Sequence, residues 1–289
     1  MMRIFLFLTT NLAILVVISV AFRLFGIDGV VQQNGLDMGA LLLMAAIIGF
    51  SGSLISLFLS KTLAKHGMRV QIIEQPSTPF EQWLLETVAR QSERAGIRMP
   101  EVGIFDSPQP NAFATGWNRN DALVAVSTGL LQHMNKQEVE AVVGHEISHV
   151  ANGDMVTLAL IQGVVNTFVV FLARIIGHTV DRVIFKNEDG PGIGYFVVSI
   201  IAEILLSVLA TMIVMWFSRY REFRADAGGA ALTSPRQMAD ALRALQRVHE
   251  PQDLQAKEFA AFGISGKIGS LFSSHPPLEQ RIAALEQAG

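Results

Sequence analysis

His145, Glu146 and His149 stand in the stretch GHEISH, residues 144–149. On an α-helix, positions i and i+4 lie on one face, so the two histidines offer two imidazole nitrogens to one metal ion. Glu146 falls beside them, placed to take a proton from a water that the ion acidifies. A zinc ion lowers the pKa of such a water toward about 7, which suits hydrolysis of an amide bond. Two solvated or core histidines at the same spacing are the bland alternative. A zinc that does hydrolysis takes three protein ligands and keeps one position open. The 289 residues contain no cysteine, so the third ligand must be a histidine or a carboxylate.

One zinc class continues the motif with a glycine three residues after the second histidine and a further histidine three residues on. Asn152 and Met155 hold those two positions, which excludes that class. The remaining candidate is SRYREFRADAGGA, residues 218–230. Glu222 and Asp226 are four apart and share a helical face. Glu222 can ligate, and Asp226 can hold the second nitrogen of a ligand imidazole. The same segment contains Arg219, Arg221 and Arg224, and solvated pairing of the two acids with them is an equal reading of these residues alone.

The elements that must position these groups are unusually apolar. The chain is 51% hydrophobic and only 16% charged, with a mean hydropathy of +0.40. Soluble domains carry about 25% charged residues, so this composition points to a membrane protein. The net charge of −3 gives no basic footprint for nucleic acid. Uncharged runs cover 4–22, 39–60, 155–173 and 193–217. Each is close to or above the roughly 20 residues that span a bilayer as a helix. The first reads as a signal anchor rather than a cleaved leader, because no small-residue cleavage site follows it. Arg3, Lys61, Lys65, Arg69, Arg219, Arg221 and Arg224 flank one side of these runs; Arg23, Arg174, Arg182 and Lys186 flank the other. Seven against four predicts cytoplasmic termini, with short external loops at 23–38 and 177–192.

The predicted organisation is therefore membrane helices 1 and 2 in 1–60, a cytoplasmic catalytic part in 61–154, membrane helices 3 and 4 in 155–217, and a cytoplasmic helical part in 218–289. Two crossings separate His149 from Glu222, so both return to one side. His149 lies six residues before Met155 and Glu222 five beyond Phe217, at similar distances from the bilayer. That placement favours Glu222 as third ligand over solvated pairing.

In the cytoplasmic parts, Thr78, Pro79 and Glu81 predict a capped helix ending at Gly96. EVGIFD (101–106), NAFATGW (111–117) and ALVAVS (122–127) read as strands of a small antiparallel sheet, the last two joined as a hairpin by NRND. Asn135 and Glu138 predict a capping box for the helix carrying His145. Ser234, Pro235 and Gln237 open another helix, through about His249. Residues 251–274 read as a partly apolar loop, and Pro276 and Pro277 precede a last helix to about Leu285.

The combination of four apolar spans, NAFATG, GHEISHVANGDM, SRYREFRADAGGA and LFSSHPPLEQRI resembles the integral-membrane branch of the gluzincin metalloproteases, peptidase family M48. The resemblance runs over essentially the whole chain. It implies an α-helical membrane protein with an α+β, gluzincin-like zinc-protease domain. It further implies one Zn²⁺ on His145, His149 and Glu222, Glu146 as base, and Asp226 in support of the site. The implied role is quality control of damaged or misfolded proteins of the bacterial inner membrane, under stress, from the cytoplasmic face. Its partners would be membrane-protein substrates, unfolded polypeptides and the lipid bilayer, without nucleic acid.

NAFATG is similar to the family's strand beside the active-site helix. There Asn111, Ala112, Phe113 and Ala114 would contact an extended substrate through its main chain, unless this is an ordinary hairpin strand. His275 has three readings: stabilising the oxyanion, occupying the open metal position in a resting form, or lying on the surface before a helix. Arg281 reaches the same site or pairs locally. Glu203, inside the fourth span, is a functional carboxylate or an interhelical hydrogen bond. His66, His133, His178 and His249 lack partners at ligand spacing. GISGK (263–267) does not meet the phosphate-loop pattern, so no ATP motor is predicted. The rival from another class is a metal-dependent membrane scaffold or chaperone that binds without cutting, which would have no need of Glu146. A rival hydrolase, processing prenylated C-termini, would carry more spans around a chamber.

Overall fold

The computed structural model describes residues 37–187, 190–249 and 273–288. The apolar run 4–22 and most of the loop 251–274 lie outside the described residues. The elements in chain order are α1 (Met38–Gly67), β1 (Gln71–Ile72), α2 (Pro79–Ala95), β2 (Glu101–Phe105), β3 (Ala112–Asn118), β4 (Asp121–Ser127), α3 (Thr128–His133), α4 (Lys136–Asn152), α5 (Asp154–Val183), α6 (Ile193–Leu232), α7 (Pro235–His249) and α8 (Leu278–Ala288). Among the described residues, α1, α5 and α6 are long and apolar enough to cross a membrane. They correspond to the second, third and fourth apolar runs. Each is longer than its run, because helix geometry continues past the last apolar residue.

The chain divides into two compact units. The first contains residues through Leu54 together with Leu160–Thr211. In it α1 and α5 pack through Leu41 and Ala45 against Val170 and Phe171. Arg174 on α5 and Glu203 on α6 approach to 3.9 Å. Asp181, buried near the end of α5, accepts from Gly192 N at 2.9 Å and Tyr195 N at 3.1 Å. These are backbone donors at the start of α6, so Asp181 caps that helix from its neighbour.

The second unit, Ile55–Ala159 with Met212–Gly289, carries the predicted chemistry. Its sheet has the order β1-β2-β4-β3. The expectation of an antiparallel sheet is corrected here: β2 and β4 are parallel, with Val102 opposite Val124. The chain leaves β2, runs to the outer position as β3, and returns through the predicted hairpin as β4 between them. β4 thus lies antiparallel to β3 and parallel to β2. β1, two residues long, adds an antiparallel edge that no sequence pattern announced.

Val124 and Val126 on β4, Leu84 and Val88 on α2, Val139, Val143 and Ile147 on α4, and Met238 and Leu242 on α7 form one core. β4 is central and buried almost throughout, which is why its sequence is nearly continuous Ala/Val/Leu rather than alternating. The C-terminal end of α1 is tied to this sheet by Lys61 on Glu101 at 2.9 Å, by Lys65 on Glu101, and by the Phe58 and Trp117 rings 5.8 Å apart.

The caps follow the sequence closely. Asn135 and Glu138 form the full reciprocal box on α4. On α2, Thr78 accepts from Glu81 N, but the Glu81 carboxylate reaches Ser77 N at 2.7 Å rather than Thr78. The box is half made, and Ser77 receives the other half.

Candidate metal centre

α4 ends at Gly153, whose φ of +67° is open to glycine at little cost. That left-handed residue breaks the chain direction between α4 and α5. It lets Asp154, the first residue of α5, fold back on α4. On α4, His145 and His149 turn their Nε2 atoms toward each other, 3.1 Å apart.

α6 supplies the third group. It runs unbroken from the apolar stretch through Glu222 and Asp226. Its close approach to α4 depends on glycines: a Cβ on Gly228 would lie 2.0 Å from Ser148 Oγ, and one on Gly229 would lie 3.0 Å from His145 N. With those side chains absent, Glu222 Oε2 comes to 3.5 Å from His145 Nε2, and Oε1 to 3.4 Å from His149 Nε2. His145 and Glu222 are buried and His149 nearly so.

These three separations can be tested against a metal. Tetrahedral zinc with bonds of about 2.0–2.1 Å sets its ligand atoms about 3.3–3.5 Å apart. The imidazole nitrogens, 3.1 Å apart, are close to that spacing, and Glu222 faces them with both oxygens, Oε2 3.5 Å from His145 and Oε1 3.4 Å from His149. The donor set of two imidazoles and a carboxylate also suits zinc. His145, His149 and Glu222 could therefore hold such an ion, with ligand atoms all within 4.8 Å of one another.

Each imidazole is braced from behind. His145 Nδ1 lies 2.9 Å from Asp226 Oδ1. His149 Nδ1 lies 2.7 Å from Asp154 Oδ2, which sequence reasoning missed. Its only local signal was an acid directly after a helix-ending glycine, at the first turn of the next helix. Both carboxylates are buried. Burial alone lowers the pKa of His149, but hydrogen bonds with Asp154 and Glu222 override it and push it up to about 10. His145 is raised too: burial opposes its charge, and Asp226 and Glu222 outweigh the burial.

Arg281 enters from α8 and is buried. Its Nε and Nη2 donate to the two Asp226 oxygens at 2.7 and 2.6 Å. Its Nη1 lies 3.3 Å from Glu222 Oε2. It thus reaches the site rather than pairing locally. His275 Nδ1 stands 2.7 Å from Glu222 Oε2 while its side chain stays 61% exposed. It is therefore in contact with the cluster and not merely a surface residue before α8. The solvated alternative for Glu222 and Asp226 fails on geometry: Arg219 donates to Ser273 O, Arg221 to Asp154 O and Arg224 to Asn152 Oδ1. His133, by contrast, is used within its own helix, bonded to Gly129 O.

His145, Glu146, His275 and Arg281 line a cleft of about 1030 Å³. Gln109, Pro110, Asn111 and Ala112 form another part of its wall. β3 is the outer strand of the sheet among the described residues. Asn111 O accepts from Ser127 N, so Asn111 turns toward β4. By the alternation of an antiparallel ladder, Phe113 turns there also, while the backbone groups of Ala112 and Ala114 face the free edge. The side chains of Ala112 and Ala114 pack on the core, and Phe113 lies against Phe105 at 5.5 Å.

Residues 80–288 match peptidase family M48. Protease HtpX of Thioalkalivibrio sulfidiphilus is 61% identical over 292 residues, covering 99% of each chain. Protease HtpX homolog of Nitrosomonas europaea is 62% identical over 293 residues, covering all of both. The crystal structure of S. mikatae Ste24p resembles this fold with a TM-score of 0.61 at 18% identity, covering 93% of this chain and 64% of that longer one.

Proposed function

This chain belongs to peptidase family M48 and is a membrane metalloprotease; from that premise we propose a zinc-dependent endopeptidase that cleaves misfolded or damaged proteins of the bacterial inner membrane at its cytoplasmic face. The observation that carries this reading is the convergence of His145, His149 and Glu222, whose ligand atoms lie within 4.8 Å of one another, with Glu146 in the adjoining cleft. One Zn²⁺ bound by the three would supply Lewis acidity toward a scissile carbonyl and acidify a water.

The chain's own residues do the rest. Asp226 and Asp154 fix the two imidazoles with their ligating nitrogens forward. Arg281 holds Asp226 by a two-point hydrogen bond, so that carboxylate cannot swing away. Glu146 accepts the proton of the attacking water and passes it to the leaving amine nitrogen. His275, exposed to the cleft and beside Glu222, is placed to donate to the carbonyl oxygen as negative charge builds on it. Ala112 and Ala114 offer backbone groups to a substrate that adds as a further strand. Main-chain pairing of this kind reads no particular sequence, which suits a protease of damaged proteins. The positive bias of Lys61, Lys65, Arg69, Arg219, Arg221 and Arg224 supports a cytoplasmic site.

Replacement of Glu146 tests the reading. Purified, zinc-loaded Glu146→Gln protein should keep its zinc and lose casein cleavage by at least about 100-fold, the typical contribution of a positioned base. Undiminished cleavage would remove the mechanism. A protein whose wild type binds unfolded casein without cutting it would instead be a scaffold.

A further inference from the structure

We propose that one face of α6, running Trp216, Tyr220, Phe223 and Ala227, is an apolar subsite that selects substrate segments bearing a bulky apolar side chain near the scissile bond. The inference rests on the protease reading and names the substrate class of that same cleft.

Offsets of four, three and four residues place these side chains within a narrow sector of one helix. Trp216, Tyr220 and Phe223 are 58%, 63% and 37% exposed. All three line the cleft that contains Glu146 and His145. The face does not stop at Phe223. Phe223, Ala227, Ala230 and Ala231 line one side of a second, open cavity of about 360 Å³, whose other sides are Pro235, Ala284, Leu285 and the paired Asp226 and Arg281. Phe223 and Arg281 belong to both spaces. The row thus starts at the end of the apolar stretch of α6 and continues along the helix to the edge of this second space.

The occupant follows from what else the cleft offers. The Ala112 and Ala114 backbone at the edge of β3 pairs with a polypeptide, not with a hydrocarbon chain. A polypeptide held there presents side chains to the opposite walls. Three exposed rings at the cleft wall gain most from burying an apolar one. Polypeptide next to a membrane span is rich in such residues. The row would therefore draw toward the metal those segments that have slipped out of a bilayer.

Full-length, zinc-loaded protein in detergent decides this with a quenched peptide series in which one residue is Phe or Ser at each position in turn. The wild type should favour Phe at one position by about tenfold or more in kcat/KM. Trp216→Ala, Tyr220→Ala and Ala227→Phe, which narrows the second cavity, should each cut that ratio to within about threefold at unchanged zinc content. Tyr220→Phe should retain it. Ratios unchanged in all three variants, or equal losses for both peptides as for rings that merely anchor the protein in the headgroup region, overturn the proposal.

Binding separates this inference from the protease reading. The chain has three tryptophans, Trp83, Trp117 and Trp216. In Glu146→Gln protein the Phe peptide should change the fluorescence assigned to Trp216 at lower concentration than the Ser peptide. That preference without any wild-type cleavage would keep the subsite and overturn the protease; cleavage without the preference would do the reverse.

Discussion

At the scale of single residues, the centre consists of pairs, each group held by a second one. Asp154 is the member without a sequence signature. Asp154→Asn keeps its shape and removes its charge, so His149 keeps at most a weaker, neutral acceptor behind its Nδ1. Zinc affinity, measured by competition with a chelator, should fall about 10–100-fold, with activity restored by excess zinc. Unchanged affinity would mean that Asp154 serves only the start of α5. The raised pKa of His149 sets a pH dependence. In the metal-free fold, protonated His149 adds stability that is complete below its unfolded value of about 6.5 and is lost as pH rises through about 10. Zinc needs the neutral imidazole and must displace that proton. The zinc-induced rise in Tm should therefore grow from pH 6.5 to pH 9; a flat dependence would show that His149 is already neutral over that range and that its pKa is not raised. His145, Glu146 and His149 were legible because their relation is local and helical. Glu222 needed the count of membrane crossings as well. The bond of Asp154 to His149 depends on the turn at Gly153, and a turn angle is not written in residue spacing.

At the scale of elements, the centre exists because α6 lies against α4 closely enough for Glu222 to reach both histidines. Gly228 and Gly229 set that distance. A methyl group on Gly228 would sit 2.0 Å from Ser148 Oγ and 2.8 Å from Ser148 Cβ, so the helices must move apart. Gly228→Ala should cost about 1–3 kcal/mol, the range for overpacking a tight contact. It should also lower zinc occupancy, since a shift of α6 carries Glu222 with it. Gly228→Ala combined with Ser148→Gly should recover zinc occupancy by opening the space again. Independent, additive losses in that double-mutant comparison would show that the contact does not set the helix spacing. The helices themselves were largely readable: Thr78 and Asn135 cap where expected, and α2 ends at Gly96. The sheet was less so. The β3–β4 hairpin is a local pairing with a turn signal, but the parallel pairing of β2 with β4 joins segments separated by a whole strand. Strand direction at that distance leaves no mark in hydropathy, and a two-residue β1 has no period to detect.

At the scale of the whole molecule, the question is how hydrolysis, which needs water, can be built on segments suited to lipid. α6 gives the answer by its length. Its 40 residues extend about 60 Å at 1.5 Å per residue. Glu222 lies 29 residues beyond Ile193, about 44 Å along the axis, while hydrocarbon accounts for about 30 Å. If its apolar part crosses the bilayer, α6 would carry this carboxylate beyond the hydrocarbon on the far side. For His145 and His149 to meet it there, the chain must cross an even number of times between α4 and Glu222. Cysteine labelling tests this, because the chain has no cysteine of its own. Gln75→Cys, before α2, reports the side of the site, and Phe185→Cys, between α5 and α6, reports the opposite side; both positions are exposed. In intact spheroplasts, a maleimide that cannot cross the membrane should label position 185 and spare position 75. In inverted vesicles the pattern should reverse. Labelling of both from the same side would place the α5–α6 loop beside the site, and α5 and α6 would then lie along the membrane rather than across it. The carboxylate could still reach the histidines in such an arrangement, but the proposal that the site faces the cytoplasm across a membrane hairpin would be gone.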